Sequence, residues 1–213
     1  MNVALVINTT DKYSFLWDRW WYYFKKNFEP DYPVYFLNET KDISIPVNQI
    51  KVDIPEIESW TKKLRESIKQ IPEDNLFVLL EDMFITKRFD KKEFENIYNV
   101  FKTLNADALR IKKAKSKYTT LHDTMFNANG VKIKKLDQHS RYLIAYTPNI
   151  WKKSFLLKCL ENDESPWENE TRGSKRMEGK GYNIYSYLKP GWWINTCRKG
   201  KLTKEGKKLL HYG

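Results

Sequence analysis

Residues 76–80 are apolar at every position, Leu-Phe-Val-Leu-Leu, and run directly into Glu81 and Asp82 before Met83-Phe84-Ile85 resumes an apolar stretch. A strand with no polar face must be covered on both sides, and that places it inside a mostly parallel sheet flanked by helices. Its carboxyl end then delivers two acids to the edge where open α/β sheets bind ligands.

The stretches before it fit the same plan. Residues 3–8 form a compact apolar run ending in Thr9-Thr10-Asp11, a strand followed by a polar loop. Trp17, Trp20, Trp21, Phe24 and Phe28 then recur at three- and four-residue steps behind Ser14, the signature of a buried helix face. Residues 34–37 and 49–54 are predicted strands. Ile57, Trp60, Leu64, Ile68 and Ile71 mark a second helix, and Phe94, Ile97, Phe101 and Leu104 a third, before a strand at 108–111. The order β-α-β-β-α-β-α-β is that of an α/β domain.

Beyond residue 112 the pattern changes. Basic segments at 112–117 and 131–135 surround Asn127-Ala128-Asn129-Gly130, a turn signal, and 112–130 is expected to be a long Lys-rich loop able to close over a ligand. A strand is predicted at 142–146, a helix body at 150–160 after Pro148, and strands at 182–188 and 192–196. Nothing calls for a second domain, so residues 1–213 are expected to form one. The ending Leu209-Leu210-His211-Tyr212-Gly213 would suit a domain cut from a longer polypeptide.

Charge is divided along the chain. Residues 1–107 carry 15 Lys and Arg against 18 Asp and Glu, and residues 108–213 carry 23 against 9, within an overall +11. An acidic half facing a basic half suits a divalent cation and a diphosphate in one cleft; a Lys-rich solvated surface and a nucleic-acid interface are the other readings. No apolar run approaches the roughly 20 residues that cross a bilayer, and the N-terminus lacks the basic region of a signal peptide. Cys159 and Cys197 have neither metal-ligand nor disulfide spacing, which predicts buried thiols in a reducing compartment such as the cytoplasm.

Two clusters carry chemistry. Two adjacent carboxylates at the end of a buried strand can hold Mg²⁺ or Mn²⁺ and leave coordination sites for a diphosphate; otherwise they merely end the strand. Ser165-Pro166-Trp167-Glu168-Asn169-Glu170, followed by Thr171-Arg172-Gly173-Ser174, has the form of a helix start, which assigns its acids to capping. The functional alternative makes one acid a general base beside an aromatic wall at Trp167.

The acid-ended strand, Ile150-Trp151-Lys152-Lys153, the Ser-Pro-Trp-Glu-x-Glu segment with its Gly-Ser, the opening Leu16-Trp17-Asp18 and the 34–37 strand together resemble small bacterial and viral GT-A nucleotide-sugar glycosyltransferases over nearly the whole chain. The resemblance implies a GT-A, Rossmann-like fold and transfer of a hexose or deoxyhexose from a UDP-sugar to a glycan or glycoprotein hydroxyl with inversion. It casts Asp82 as the direct metal ligand, with Glu81 behind it, although the family's Asp-x-Asp is not literally present. It favours Glu170 over Glu168 as the base, gives Thr9, Thr10 and Asp11 to the uridine, and makes Asp53 a further contact to base or ribose. Arg172, with Lys175 and Arg176 after it, can touch phosphate or an anionic glycan or else belongs to a solvated helix face. A single histidine completes the metal shell in some such enzymes, and His139 is the best placed for it, the alternative being a surface or satisfied-core histidine. A viral source would place the protein in host cytoplasm. The rival expectation is a basic nucleic-acid-binding domain without catalysis; it gives no role to the acid pair. An inactive, sugar-binding relic is the third.

Overall fold

The structure is a computed structural model that describes residues 2–28, 31–52, 59–111, 119–128, 130–189, 191–198 and 200–211. The first half supplies β1 (Val3–Asn8), a 3₁₀ turn (Asp11–Leu16) continuing into α1 (Trp17–Asn27), β2 (Val34–Asn38), β3 (Asn48–Lys51), α2 (Trp60–Lys69), β4 (Asn75–Leu80), β5 (Met83–Ile85), α3 (Lys91–Thr103) and β6 (Ala108–Arg110). The second half adds β7 (Leu121–Ala128), β8 (Val131–Leu136), β9 (Asn149–Lys152), α4 (Lys153–Cys159), α5 (Pro166–Glu168), a π-helical turn (Asn169–Gly173), α6 (Ser174–Met177), β10 (Ile184–Tyr187), β11 (Trp193–Asn195), β12 (Cys197–Arg198), β13 (Lys201–Leu202) and α7 (Lys204–His211).

Among the described residues, nine strands form one sheet in the order β3-β2-β1-β4-β9-β6-β10-β8-β7. All run the same way except β9 and β8, so the sheet is mixed and mostly parallel. Side chains alternate across it as the strand period requires. Leu5, Ile7, Phe77 and Leu79 join the aromatic face of α1 and the apolar face of α3; Ala4, Val6, Leu76 and Val78 join Leu64 and Ile68 of α2 and Phe155 of α4 on the other side. The Trp20, Phe24 and Phe28 stripe is therefore core, and Trp20 stacks on Phe24 with ring centroids 4.6 Å apart.

The second half departs from the sequence expectation. Ile150 and Trp151 lie on β9, hydrogen-bonded antiparallel between β4 and β6, and the helix starts only at Lys153. Pro148 opens a strand and not a helix, a place where its missing N–H costs no ladder bond; its carbonyl accepts from Ile111 N–H at 2.9 Å. Residues 142–144 form a turn and bend and 145–146 have no regular structure, so no strand forms there. Most of the expected 120s loop is β7, paired with β8 in a hairpin closed at Gly130, whose φ of 77° suits a residue without Cβ; residues 112–118 lie outside the described set.

Candidate active site

The site grows from the register between β1 and β4. Asn8 is the Cα partner of Leu80, so Thr9-Thr10 and Glu81-Asp82 leave the sheet side by side at one edge. The turn at Glu81-Asp82 is held from above by the C-terminal segment. β11 pairs with β5, and Thr196 donates to the Asp82 carbonyl from its N–H at 2.7 Å and from its hydroxyl at 3.1 Å. Helix α7 secures Thr196 in turn: a Cβ on Gly206 would lie 2.2 Å from the Thr196 carbonyl oxygen, so only glycine admits this approach.

These elements enclose a cavity of about 550 Å³. Asn8, Thr9, Thr10 and Tyr13 line it from β1 and the turn after it, and Leu80, Glu81, Asp82 and Met83 from the end of β4. Trp60, Tyr146, Thr147, Pro166, Trp167 and Glu170 form another side, with Asn195, Cys197 and Arg198 contributed by the C-terminal segment. The acid pair and Glu170, separated by some ninety residues of chain, thus share one space.

Burial dominates the acids. It raises Glu81 to about 8, with the neighbouring Asp82 charge adding to the effect, and raises Asp82 to about 6. Asp82 Oδ1 is buried without a hydrogen-bond partner. A buried carboxylate oxygen left unsatisfied beside a cavity is a place for a cation. No group of three or more His, Cys, Asp and Glu able to hold a metal occurs among the described residues, so any ion there would take Asp82, with Glu81 beside it, and complete its shell from ligand and water, as Mg²⁺ commonly does.

Glu170 sits in the π-helical turn, an irregularity frequent at functional sites. Its Oε1 accepts from Tyr146 N–H at 2.7 Å, and the buried Arg110 guanidinium is electrostatically coupled to it. Arg110 donates to the carbonyls of Tyr142 and Leu143, and burial lowers its own pKa to about 10. A polar chain underpins the turn: the Tyr146 hydroxyl donates to Asn169 Oδ1 at 2.5 Å, Asn169 donates to Glu164 at 2.7 Å, and Arg176 pairs with Glu164 at 2.6 Å. Trp60 meets Tyr146 edge-on at 4.7 Å between centroids, and Trp167 is 71% exposed at the rim.

The remaining candidate residues lie differently. Glu168 is a capping-box residue: its carboxylate accepts from the Ser165 N–H and hydroxyl, which, together with Arg172, hold its pKa below the usual range. It does not line the cavity, nor does Arg172, whose guanidinium reaches Glu168 at 3.1 Å. His139 is on the surface, paired with Glu178 at 2.7 Å, away from the acid pair's lining. Asp11 latches the 38–41 turn; burial would raise its pKa, but hydrogen bonds from Thr40, Lys41 and Asn38 outweigh that and hold it low. The Thr9 hydroxyl accepts from the Trp17 indole N–H at 2.8 Å, leaving Thr10 as the more available of the two threonines. Asp53 lies outside the described residues. Of the two C-terminal tryptophans, Trp192 is core, stacked on Phe89 at 3.9 Å, and Trp193 covers Gly191 without lining the cavity. Tyr13 and Arg198 are lining residues the sequence did not single out. An arginine in a basic tail has no local signal; only the pairing of β11 with β5 brings it here.

No family model matches the chain, and no curated protein matches it by sequence. Solved structures do match in shape. Staphylococcus aureus TarS 1–349 in complex with UDP-GlcNAc superposes with a TM-score of 0.60 at 10% identity, over 95% of this chain and 60% of that one. HddC from Yersinia pseudotuberculosis gives 0.56 at 10% identity, over 97% of each chain. CMP:2-keto-3-deoxy-manno-octonic acid synthetase complexed with CTP gives 0.50 at 12% identity, over 91% and 92%. The chain therefore spans about three fifths of TarS 1–349 and nearly all of HddC. It shares their fold.

Proposed function

We propose that the chain is a glycosyltransferase that moves a hexosyl or deoxyhexosyl group from a UDP-sugar to a glycan hydroxyl with inversion, assisted by Mn²⁺ or Mg²⁺. The observation that carries this reading is the shared cavity: an under-satisfied carboxylate, Asp82, and an exposed-side carboxylate, Glu170, face one space rimmed by Trp60 and Trp167. The fold shared with TarS, solved with UDP-GlcNAc, supports a nucleotide-sugar donor.

Asp82 and Glu81 would hold the divalent cation, which supplies charge neutralisation for the diphosphate leaving group. Thr10 and Tyr13 bound the nucleotide end, and Arg198 offers a guanidinium to phosphate oxygens. Trp167 presents an apolar face on which a sugar ring can stack. Glu170, oriented by the Tyr146 N–H, accepts the proton of the acceptor hydroxyl as its oxygen bonds to the anomeric carbon. The bond from that carbon to the diphosphate breaks, and UDP leaves with the electron pair. A carboxylate held in contact is adequate for this, because the hydroxyl becomes acidic only as the new bond forms. The buried Arg110 guanidinium interacts electrostatically with Glu170 and so sets a positive charge behind the carboxylate.

A second reading, nucleotidyl transfer, has the shared fold of a CTP-bound synthetase in its favour. One experiment separates the two: incubate the chain with Mn²⁺ and a panel of UDP-sugars, and separately with nucleoside triphosphates and sugar acids or sugar phosphates. Release of UDP with sugar transferred or hydrolysed supports the first reading; release of pyrophosphate alone overturns it. No described helix is long and apolar enough to cross a membrane, and the free, buried Cys159 and Cys197 fit a reducing compartment such as the cytoplasm.

A further inference from the structure

The outer face of the 3₁₀ turn and α1 carries Lys12, Phe15, Arg19, Tyr22 and Lys26 in a line. The three-residue step from 12 to 15 keeps one face in a 3₁₀ turn, and the later steps of four, three and four keep it in the α-helix. Cation and ring alternate along the stripe for roughly 22 Å. Phe15 is 55% and Tyr22 49% exposed, two of the few large apolar side chains left to solvent. The Arg19 guanidinium and the Lys26 ammonium each lie 5.7 Å from the Tyr22 ring centroid. Asp18 is the one acid on the exposed flank of this helix. Behind the stripe, Trp17, Trp20 and Phe24 anchor the helix in the core, so the exposed face is rigid.

We infer that this face docks the protein onto an anionic lipid surface. The array is straight and lies on one side of one helix, which matches a plane better than a curved polymer. Its cations suit headgroup phosphates, while Phe15, a hydrocarbon ring with no polar handle, gains most by entering the headgroup–acyl boundary. The stripe also starts at the cavity: Tyr13, a lining residue, has its ring 6.2 Å from that of Phe15. Docking by this face therefore brings the Tyr13 side of the cavity close to the lipid surface, where a membrane-held acceptor would present its hydroxyl. The docking itself needs no donor, so it stands or falls separately from the transferase reading.

The test is flotation of the full chain with phosphatidylcholine vesicles, with and without phosphatidylglycerol. Binding is expected only with the anionic lipid and should weaken with salt. Lys12→Gln, Arg19→Gln and Lys26→Gln should each lower partitioning about fivefold, and on the order of a hundredfold together. Phe15→Ser with Tyr22→Ser should abolish flotation while leaving retention on heparin unchanged. Melting curves followed by circular dichroism show whether each variant is folded, and the single Arg19→Gln variant serves if the triple is not. Equal binding to neutral vesicles, or none to either, overturns the inference. Flotation unaffected by loss of the two rings also overturns it and assigns the stripe to a soluble polyanion.

Discussion

Glu168 and Glu170 are two residues apart and chemically alike, yet the helix turns them to different tasks. Glu168 closes the capping box with Ser165 and pairs with Arg172 on the outer surface, whereas Glu170 faces the cavity with Tyr146 N–H on its Oε1. Glu170→Gln keeps the shape and the acceptor oxygen but cannot take a proton, so it should lower kcat by roughly 10²–10⁴-fold with UDP affinity, measured by calorimetry, little changed. Glu168→Gln should lower the melting temperature and leave the transfer rate nearly intact. A dead Glu168→Gln enzyme with an active Glu170→Gln one would reverse the two roles. Asp11 separates in the same way. Asp11→Ala should loosen the 38–41 turn, seen as faster amide exchange at Thr40 and Lys41, and should act on UDP binding only through that turn. The sequence made Glu170 a candidate by register within a motif, but the π-helical turn that aims it has no local sequence mark.

At the scale of elements, β4 and its acids were legible because a fully apolar run has one home in an α/β sheet. The flanking helices were legible because their apolar positions repeat at helical spacing. β9 was not. Ile150 and Trp151 continue into Phe155, Leu156 and Cys159 at spacings that also suit a helix, and only hydrogen bonding to β4 and β6 on both sides makes residues 149–152 a strand. The same blindness hid the C-terminal lock, since the pairing of β11 with β5 joins segments more than a hundred residues apart. That lock rests on Gly206, where α7 meets the Thr196 carbonyl. Gly206→Ala places a methyl where backbone already lies, so α7 must move away and relax Thr196 from the Asp82 carbonyl. The expected cost is about 1–3 kcal/mol of unfolding free energy, read by urea denaturation, together with weaker Mn²⁺ binding. Normal stability and normal metal affinity in this variant would show that the lock does not position the acid turn.

Across the whole molecule, the sign of charge follows the work proposed for each part: acids at the end of β4, cations on the C-terminal segment and along the outer face of α1. The acid pair links that arrangement to overall stability. Folding buries Glu81 and Asp82 and raises them to about 8 and about 6 from the ordinary 4.5 and 3.8. Between the ordinary and the raised values the native chain holds more protons than the unfolded one, so this pair makes stability fall as pH rises through that window. A divalent cation offsets the same burial by replacing the protons, and its binding therefore releases them. Mn²⁺ at one fixed concentration should consequently stabilise the chain little near about pH 5, where protons compete for the site, and progressively more towards about pH 8, where the site is ready to ionise. At a hundred times its dissociation constant the gain is about 2.7 kcal/mol. Asp82→Asn supplies the control: it removes the charge that burial opposes, so the metal-free variant should melt higher than wild type near pH 8 and show no Mn²⁺ shift. Thermal melts across this range, with Mn²⁺ and with EDTA, measure both effects. A Mn²⁺ shift independent of pH, or one that survives in Asp82→Asn, would place the metal somewhere other than the end of β4.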